Sequence, residues 1–333
     1  MSWRSANAIR RPSAHLATVL ATVAALCLLL TATATAALIV GGGRSERLRG
    51  TDRSDTIKGR GGNDRIRGYG GDDTIFAGRG SDRASGGSGN DYISGGRGAD
   101  KDRLFGGRNG DRLLGKSGSD EIGGGLGNDT VFGNSGADNV DGYFGRDFIA
   151  GNAGEDNLTG GPGRDGVFAG ADNDRVTGGE ENDRLHGGSG NDQLHGNSAS
   201  DLISGGLGDD TSFGDDGNDT IFANQGVDQS YGGRGNDELW ALASADGPLP
   251  GADTLRGEEG NDTLRTRDGE ADVIDCGPGR KDRAFLDFAD LILDATPSNT
   301  RGSCETVQRR APREREDRSE NAREAPRDDS RES

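Results

Sequence analysis

Aspartate recurs every nine residues from Asp111 to Asp237, fifteen times in succession without a slip in phase. An earlier block keeps the same spacing at Asp55, Asp64, Asp73, Asp82 and Asp91, and a two-residue slip then leads to Asp102. Residues 241–251, with Pro248 and Pro250, interrupt the pattern before Asp253, Asp262, Asp272 and Asp282 continue it more loosely, about 25 units in all. The units GGSGNDYIS (Gly86 to Ser94), GGLGNDTVF (Gly124 to Phe132) and GGSGNDQLH (Gly187 to His195) share glycine at positions one, two and four. Two residues after each aspartate stands an aliphatic, as at Leu113, Ile122, Val131 and Val140, interrupted within the regular run only by Ser212 and Ser230. A flexible glycine-rich linker has no reason to lock three residue types into one register. Collagen needs glycine at every third position, which this spacing rejects.

Each unit is expected to divide into a six-residue turn, G-G-x-G-x-D, and a three-residue strand whose middle side chain points inward. Glycine at fixed turn positions lets the chain curl tightly and aim several carbonyls at one point. Two units then make one coil of an all-β solenoid, with equivalent turns eighteen residues apart stacked at about the 4.8 Å strand spacing. Asp111 would lie over Asp129, and Asp120 over Asp138.

Composition narrows what could hold such a stack together. Of 333 residues 61 are glycine, only 30% are hydrophobic and 5% aromatic, too little for the core of a large enzyme. The formal charge of −18 argues against nucleic acid or anionic lipid as the main partner and makes cations the natural one. One buried aliphatic per unit does not offset the entropy of ordering nine residues. Stacked carboxylates beside carbonyl oxygens repel, and a hard cation relieves both. Calcium takes oxygen ligands in a flexible geometry, magnesium demands a stricter octahedron, and zinc prefers Cys or His. Metal binding is therefore expected to be part of folding, with an expanded, self-repelling coil as the metal-free state.

The repeat resembles the RTX (hemolysin-type) calcium-binding nonapeptide G-G-x-G-x-D-x-U-x, over residues 50–285. That resemblance implies a parallel β-roll of two repeats per coil, with multiple Ca²⁺ held between successive turns by position-six aspartates and turn carbonyls. Carried over to the units that keep the fourth-position glycine, the implied ligands are Asp64, Asp73, Asp82, Asp91, Asp120, Asp129, Asp138, Asp147, Asp156, Asp165, Asp192, Asp210, Asp219, Asp228, Asp237 and Asp262. Asn109, Asp172, Glu181 and Ala199 replace that glycine before Asp111, Asp174, Asp183 and Asp201, so strain or weaker binding is expected there. The 241–251 loop is expected to interrupt the stack. Members of the family are often enzymes or toxins with a terminal repeat block, whereas here repeats fill the chain and leave no room for a catalytic domain.

The flanks read differently. Arg4, Arg10 and Arg11 precede an apolar stretch from Leu16 to Leu30, and Ala34-Thr35-Ala36 supplies small residues, so residues 1–36 are expected to be a signal peptide cleaved before Ala37. Residues 37–49 form a lead-in. Cys276 and Cys304 are the only cysteines left after cleavage, and export predicts that they pair. Residues 286–308 are expected to form a disulfide-linked cap or one further edge strand. Residues 309–333 carry eight arginines and eight acids with no apolar run and read as a disordered, charge-balanced tail.

Other chemistry is hard to find. No H-E-x-x-H or serine elbow occurs, and glycine-rich turns set among this much acid would repel a phosphate. His186 and His195 fall on successive units, which places them on opposite strands as surface residues. Arg65, Arg83, Arg112, Arg175 and Arg184 follow the aspartate and read as a solvated face. The expectation is a secreted, extracellular, non-catalytic calcium-binding repeat protein, a structural or surface element without membrane insertion. A calcium-dependent adhesin for cells or polysaccharide is the alternative, and a secreted hydrolase with an unrecognised site a distant third.

Overall fold

The alternation of inward aliphatic and outward polar residues builds two facing parallel sheets. The computed structural model describes residues 36–241, 252–295, 299 and 301–311. Residues up to 35, where the signal peptide is expected, the interior of the 241–251 loop and residues beyond 311 lie outside the described residues. Within them the chain is a parallel β-solenoid of about 14 coils, without a helix. Odd and even repeat strands go to different sheets, one of fifteen strands and one of fourteen among the described residues. Thr130–Ser135 pairs with Phe148–Ala153 through Thr130↔Phe148, Val131↔Ile149 and Asn134↔Asn152, the expected eighteen-residue register.

The strands are longer than expected. Most run six residues, as in Glu121–Leu126 and Asn139–Phe144, leaving a short corner ending in the aspartate. The reason is that position two repeats the same left-handed backbone throughout the regular run, so pairing resumes after it. The ladder Gly123↔Asp141, Gly125↔Tyr143 skips only the position-one glycine. Gly125 has φ +123° and Tyr143 +69°, so the register overrides the side chain's preference. The same holds at position four, where Asn109, Asp172, Glu181 and Ala199 keep φ between +68° and +79°. The strain expected at those four turns is therefore present, without any change of path.

Inside, Leu113, Val131, Ile149, Val167, Leu185 and Ile203 form one column at 0–2% exposure, and Ile122, Val140, Leu158, Val176 and Leu194 form the facing one. Ser212 and Ser230 take core positions side by side in the second sheet. The 241–251 loop does not break the stack. Gln229↔Thr254 and Glu238↔Thr263 pair across it, because an insertion between strands costs closure entropy and leaves strand register alone.

The sheets also run past the 50–285 block at both ends. Leu38–Val40 and Arg47–Arg49 pair with the next coil, and Thr306–Arg309 pairs with Arg283–Leu286. Cys276 and Cys304 stand as a bonded, buried pair with Cα atoms 5.3 Å apart. His186 and His195 lie on opposite sheets, and the five arginines after aspartates are exposed.

Candidate metal centre

Every aspartate of the nine-residue series turns into the corner between two coils. The sixteen residues named from the repeat pattern are at most 3% exposed. Their carboxylates do not simply face one another. The Asp129 amide donates to Asp147 Oδ1 at 2.7 Å, the Asp147 amide donates to Asp165 Oδ1 at 2.7 Å, and the same bond links successive coils from Asp64 to Asp262. One oxygen of each carboxylate thus continues the backbone ladder around the corner.

The second oxygen has no such use. Oδ2 of all sixteen aspartates is buried without a hydrogen-bond partner. Where position one of the unit is glycine, the oxygen points at that residue; Ala77 and Ala223 hold the position before Asp82 and Asp228. A Cβ placed on Gly142 would lie 2.5 Å from Asp147 Oδ2 and 2.5 Å from the carbonyl oxygen of Gly160 one coil on. Gly232 is arranged alike, 2.6 Å from both Asp237 Oδ2 and the Gly257 carbonyl. Carboxylate and carbonyl oxygens therefore converge on a point that glycine leaves free. An unpaired buried carboxylate costs several kcal/mol by order of magnitude, roughly the scale on which a hard divalent ion would compensate. This oxygen-only donor set, deprived of hydrogen-bond donors, fits calcium.

The electrostatics agree. Burial pushes the carboxyls up, against the opposing amide bond and with help from neighbouring aspartates: Asp147 and Asp210 to about 7, Asp219 and Asp228 to about 8. Asp55, at the first coil, behaves differently. Burial pushes it up as well, but the amides of Ala37 and Thr51 and the Thr51 hydroxyl more than offset this, so its net shift is downward. Thr51 donates to the oxygen that is orphaned elsewhere.

A glycine at position four makes no difference to where the aspartate is placed. Asp111, Asp174, Asp183 and Asp201 are as buried as the others, with the same unpartnered Oδ2, and so is Asp282. Aspartate spacing alone carries that signal, since the left-handed turn forms with or without glycine. His186 rests against Phe168, and burial pushes its pKa down, while His195 stacks on Phe213 at 4.5 Å; the two do not converge.

The family model for the RTX calcium-binding nonapeptide repeat (4 copies) matches nine segments: 40–75, 67–102, 105–140, 132–167, 141–176, 168–203, 177–212, 204–239 and 249–275. The chain belongs to the RTX calcium-binding nonapeptide repeat family. As an RTX protein it is a calcium-binding β-roll that takes multiple Ca²⁺ ions. No curated protein matches it. Among solved structures, it is similar to a hyperactive, Ca²⁺-dependent, β-helical antifreeze protein from an Antarctic bacterium. Identity is 16%, the TM-score is 0.40, and the alignment covers 80% of this chain and 92% of the other.

Proposed function

We propose that this RTX chain is a secreted, non-catalytic structural element that calcium folds outside the cell. The ligands in this reading are the Oδ2 atoms of Asp64, Asp73, Asp82, Asp91, Asp120, Asp129, Asp138, Asp147, Asp156, Asp165, Asp192, Asp210, Asp219, Asp228, Asp237 and Asp262, with turn carbonyls. The orphaned column of buried carboxylate oxygens is the observation that carries it. Bound calcium supplies the positive charge that these oxygens face. The chain's own part is to orient one carboxylate oxygen by the amide ladder and leave the other for the ion. Extracellular calcium modules bind at about 10⁻⁴–10⁻³ M, which suits a chain that stays unfolded until export. In the same reading the apolar start of the chain is a signal peptide, and Cys276 pairs with Cys304 in an oxidising compartment.

Small-angle scattering and far-UV circular dichroism of the purified mature chain test this. Calcium at millimolar level is expected to convert an expanded coil into a compact rod rich in β structure. Spectra unchanged between EDTA and calcium would refute it.

Adhesion is the second reading, favoured by a row of part-exposed rings on the even-strand sheet. His195, Phe213 and Tyr231 stack at 4.5 and 4.9 Å, with Arg256 over the last ring. Retention on a polysaccharide column that is lost in both chelator and Tyr231→Ala would favour it over a purely structural role.

A further inference from the structure

The C-terminal coils depart from the nine-residue pattern in a way that gathers a third carboxylate. From Asp262 to Asp272 the spacing is ten, and the turn Arg267-Asp268-Gly269-Glu270-Ala271 is one residue longer than those of the regular Asp111 to Asp237 run. Position one of this unit is Thr266, whose hydroxyl donates to Asp290 Oδ2 at 2.7 Å, so the corner is built from side chains that the repeats do not use. The longer turn brings Asp268 beside Asp253 and Asp272. One carboxylate oxygen from each of the three lies within 4.8 Å of the other two.

These groups are held in place. Asp253 Oδ1 accepts the Asp228 amide at 2.9 Å, Asp272 Oδ1 accepts the Asp253 amide at 2.8 Å, and Asp268 Oδ1 accepts the Glu270 amide at 3.0 Å. Asp272 is 0% exposed, and its Oδ2 has no hydrogen-bond partner; Asp268 Oδ2 has none either. A fully buried carboxylate with a free oxygen directed into a like-charged cluster lacks a counter-charge. A shared proton would relieve one pair and leave the third group opposed. An ion with oxygen ligands at about 2.3–2.6 Å spans oxygens up to roughly 5 Å apart, which this spacing matches, and calcium tolerates such irregular sets where magnesium does not.

We propose that Asp268 joins Asp253 and Asp272, two aspartates of the repeat series, in a three-carboxylate calcium site that fills before the other repeat corners. The third carboxylate raises its charge above that of a corner built on position-six aspartates, and charge count is one determinant of calcium affinity. Its position, four residues before Cys276, lets the first ion order the end of the solenoid to which the disulfide belongs. The ranking of the two kinds of site rests on the calcium reading of the repeats; the existence of this site does not.

Equilibrium dialysis of the full mature chain with radioactive calcium, alongside far-UV dichroism, separates the two. The wild type is expected to hold one ion at free calcium at least about tenfold below the folding midpoint of the repeats. Asp268→Asn, which keeps the acceptor for Glu270, should lose that early ion while reaching the wild-type spectrum at saturating calcium. Coincident binding curves for variant and wild type overturn the proposal. If the spectrum never responds to calcium yet Asp268→Asn abolishes one bound ion, the repeat reading falls and this site stands. Should the variant fail to regain the wild-type spectrum, hydrogen exchange in the wild-type chain decides. Protection of the 268–272 turn at the lower calcium level supports the site, and protection appearing only together with the repeats overturns it.

Discussion

The regular middle coils and the C-terminal coils answer one problem, an empty corner between turns, by different means. In the middle, position one is glycine or alanine, as at Gly142, Gly160 and Ala169, and at the glycines a carboxylate and a carbonyl oxygen face each other. Toward the C-terminus the same position carries Thr266, Cys276 and Leu286, all buried at 0% exposure. There the corner is filled by a hydroxyl bonded to Asp290, a paired cysteine and an aliphatic. Arg309 also ties the last coil by donating to the carbonyls of Asp287 and Asp290, each at 3.0 Å. Asp272 and Asp282 keep an orphaned oxygen there too, but ordinary packing and a covalent link add to whatever binds it. In the middle coils folding depends on what binds the orphaned oxygens alone. A solenoid permits this division because each coil contacts only its neighbours.

The largest way to break the comparison is pH in the absence of calcium. Asp147, Asp210, Asp219 and Asp228 have folded values near 7 to 8 against an ordinary 3.8, so the folded state binds protons more tightly than the unfolded one. Metal-free stability is then full below about pH 4 and is lost as pH rises through about 6 to 8. Dichroism in EDTA should show the coils folded in mild acid and unfolding above neutrality, with the C-terminal coils, where burial pushes Asp253 to about 8 and Asp272 to about 9, the last to lose their carboxyl protons. A metal-free fold that strengthens as pH rises would contradict the orphaned carboxylates. Asp55, whose pKa is lowered, contributes in the opposite sense, which limits the effect at the first coil.

A substitution sharpens the point. Gly142→Val would place branched carbon where Asp147 Oδ2 and the Gly160 carbonyl converge. It is expected to cost on the order of 3 kcal/mol through overpacking, and more in calcium than in acid, because it also displaces the ion. An equal loss in both conditions would show that glycine is needed there for backbone room alone.

The smaller effect belongs to the other region. Replacing Cys276 and Cys304 together by serine should cost about 2–4 kcal/mol. Hydrogen exchange should report the loss in the coils from residue 253 onward and leave the Asp111 to Asp237 run protected as before. Loss of protection throughout the middle coils would mean that the two regions fold as one unit.

Much of this was legible in residue order. A phase-locked aliphatic two residues after aspartate could serve only an inward column, so the eighteen-residue coil and the buried Leu113, Val131 and Ile149 followed directly. Strand length was not legible, because pairing through position two depends on the coil above repeating a left-handed residue such as Tyr143 beside Gly125. The equivalence of Asp111, Asp174, Asp183 and Asp201 to the other aspartates was hidden for the same reason: stacking imposes the turn even where glycine is missing.

Periodicity by itself determined which residues are neighbours, since a fixed repeat brings residue i to residue i + 18 and sends aliphatic and acidic side chains to fixed faces. Only the tertiary structure decided how each carboxylate divides its two oxygens between the amide ladder and the empty corner, and that Asp268 joins Asp253 and Asp272. Both depend on distances and directions between coils. A one-dimensional pattern states that two groups meet; it does not state which atom of each is already taken.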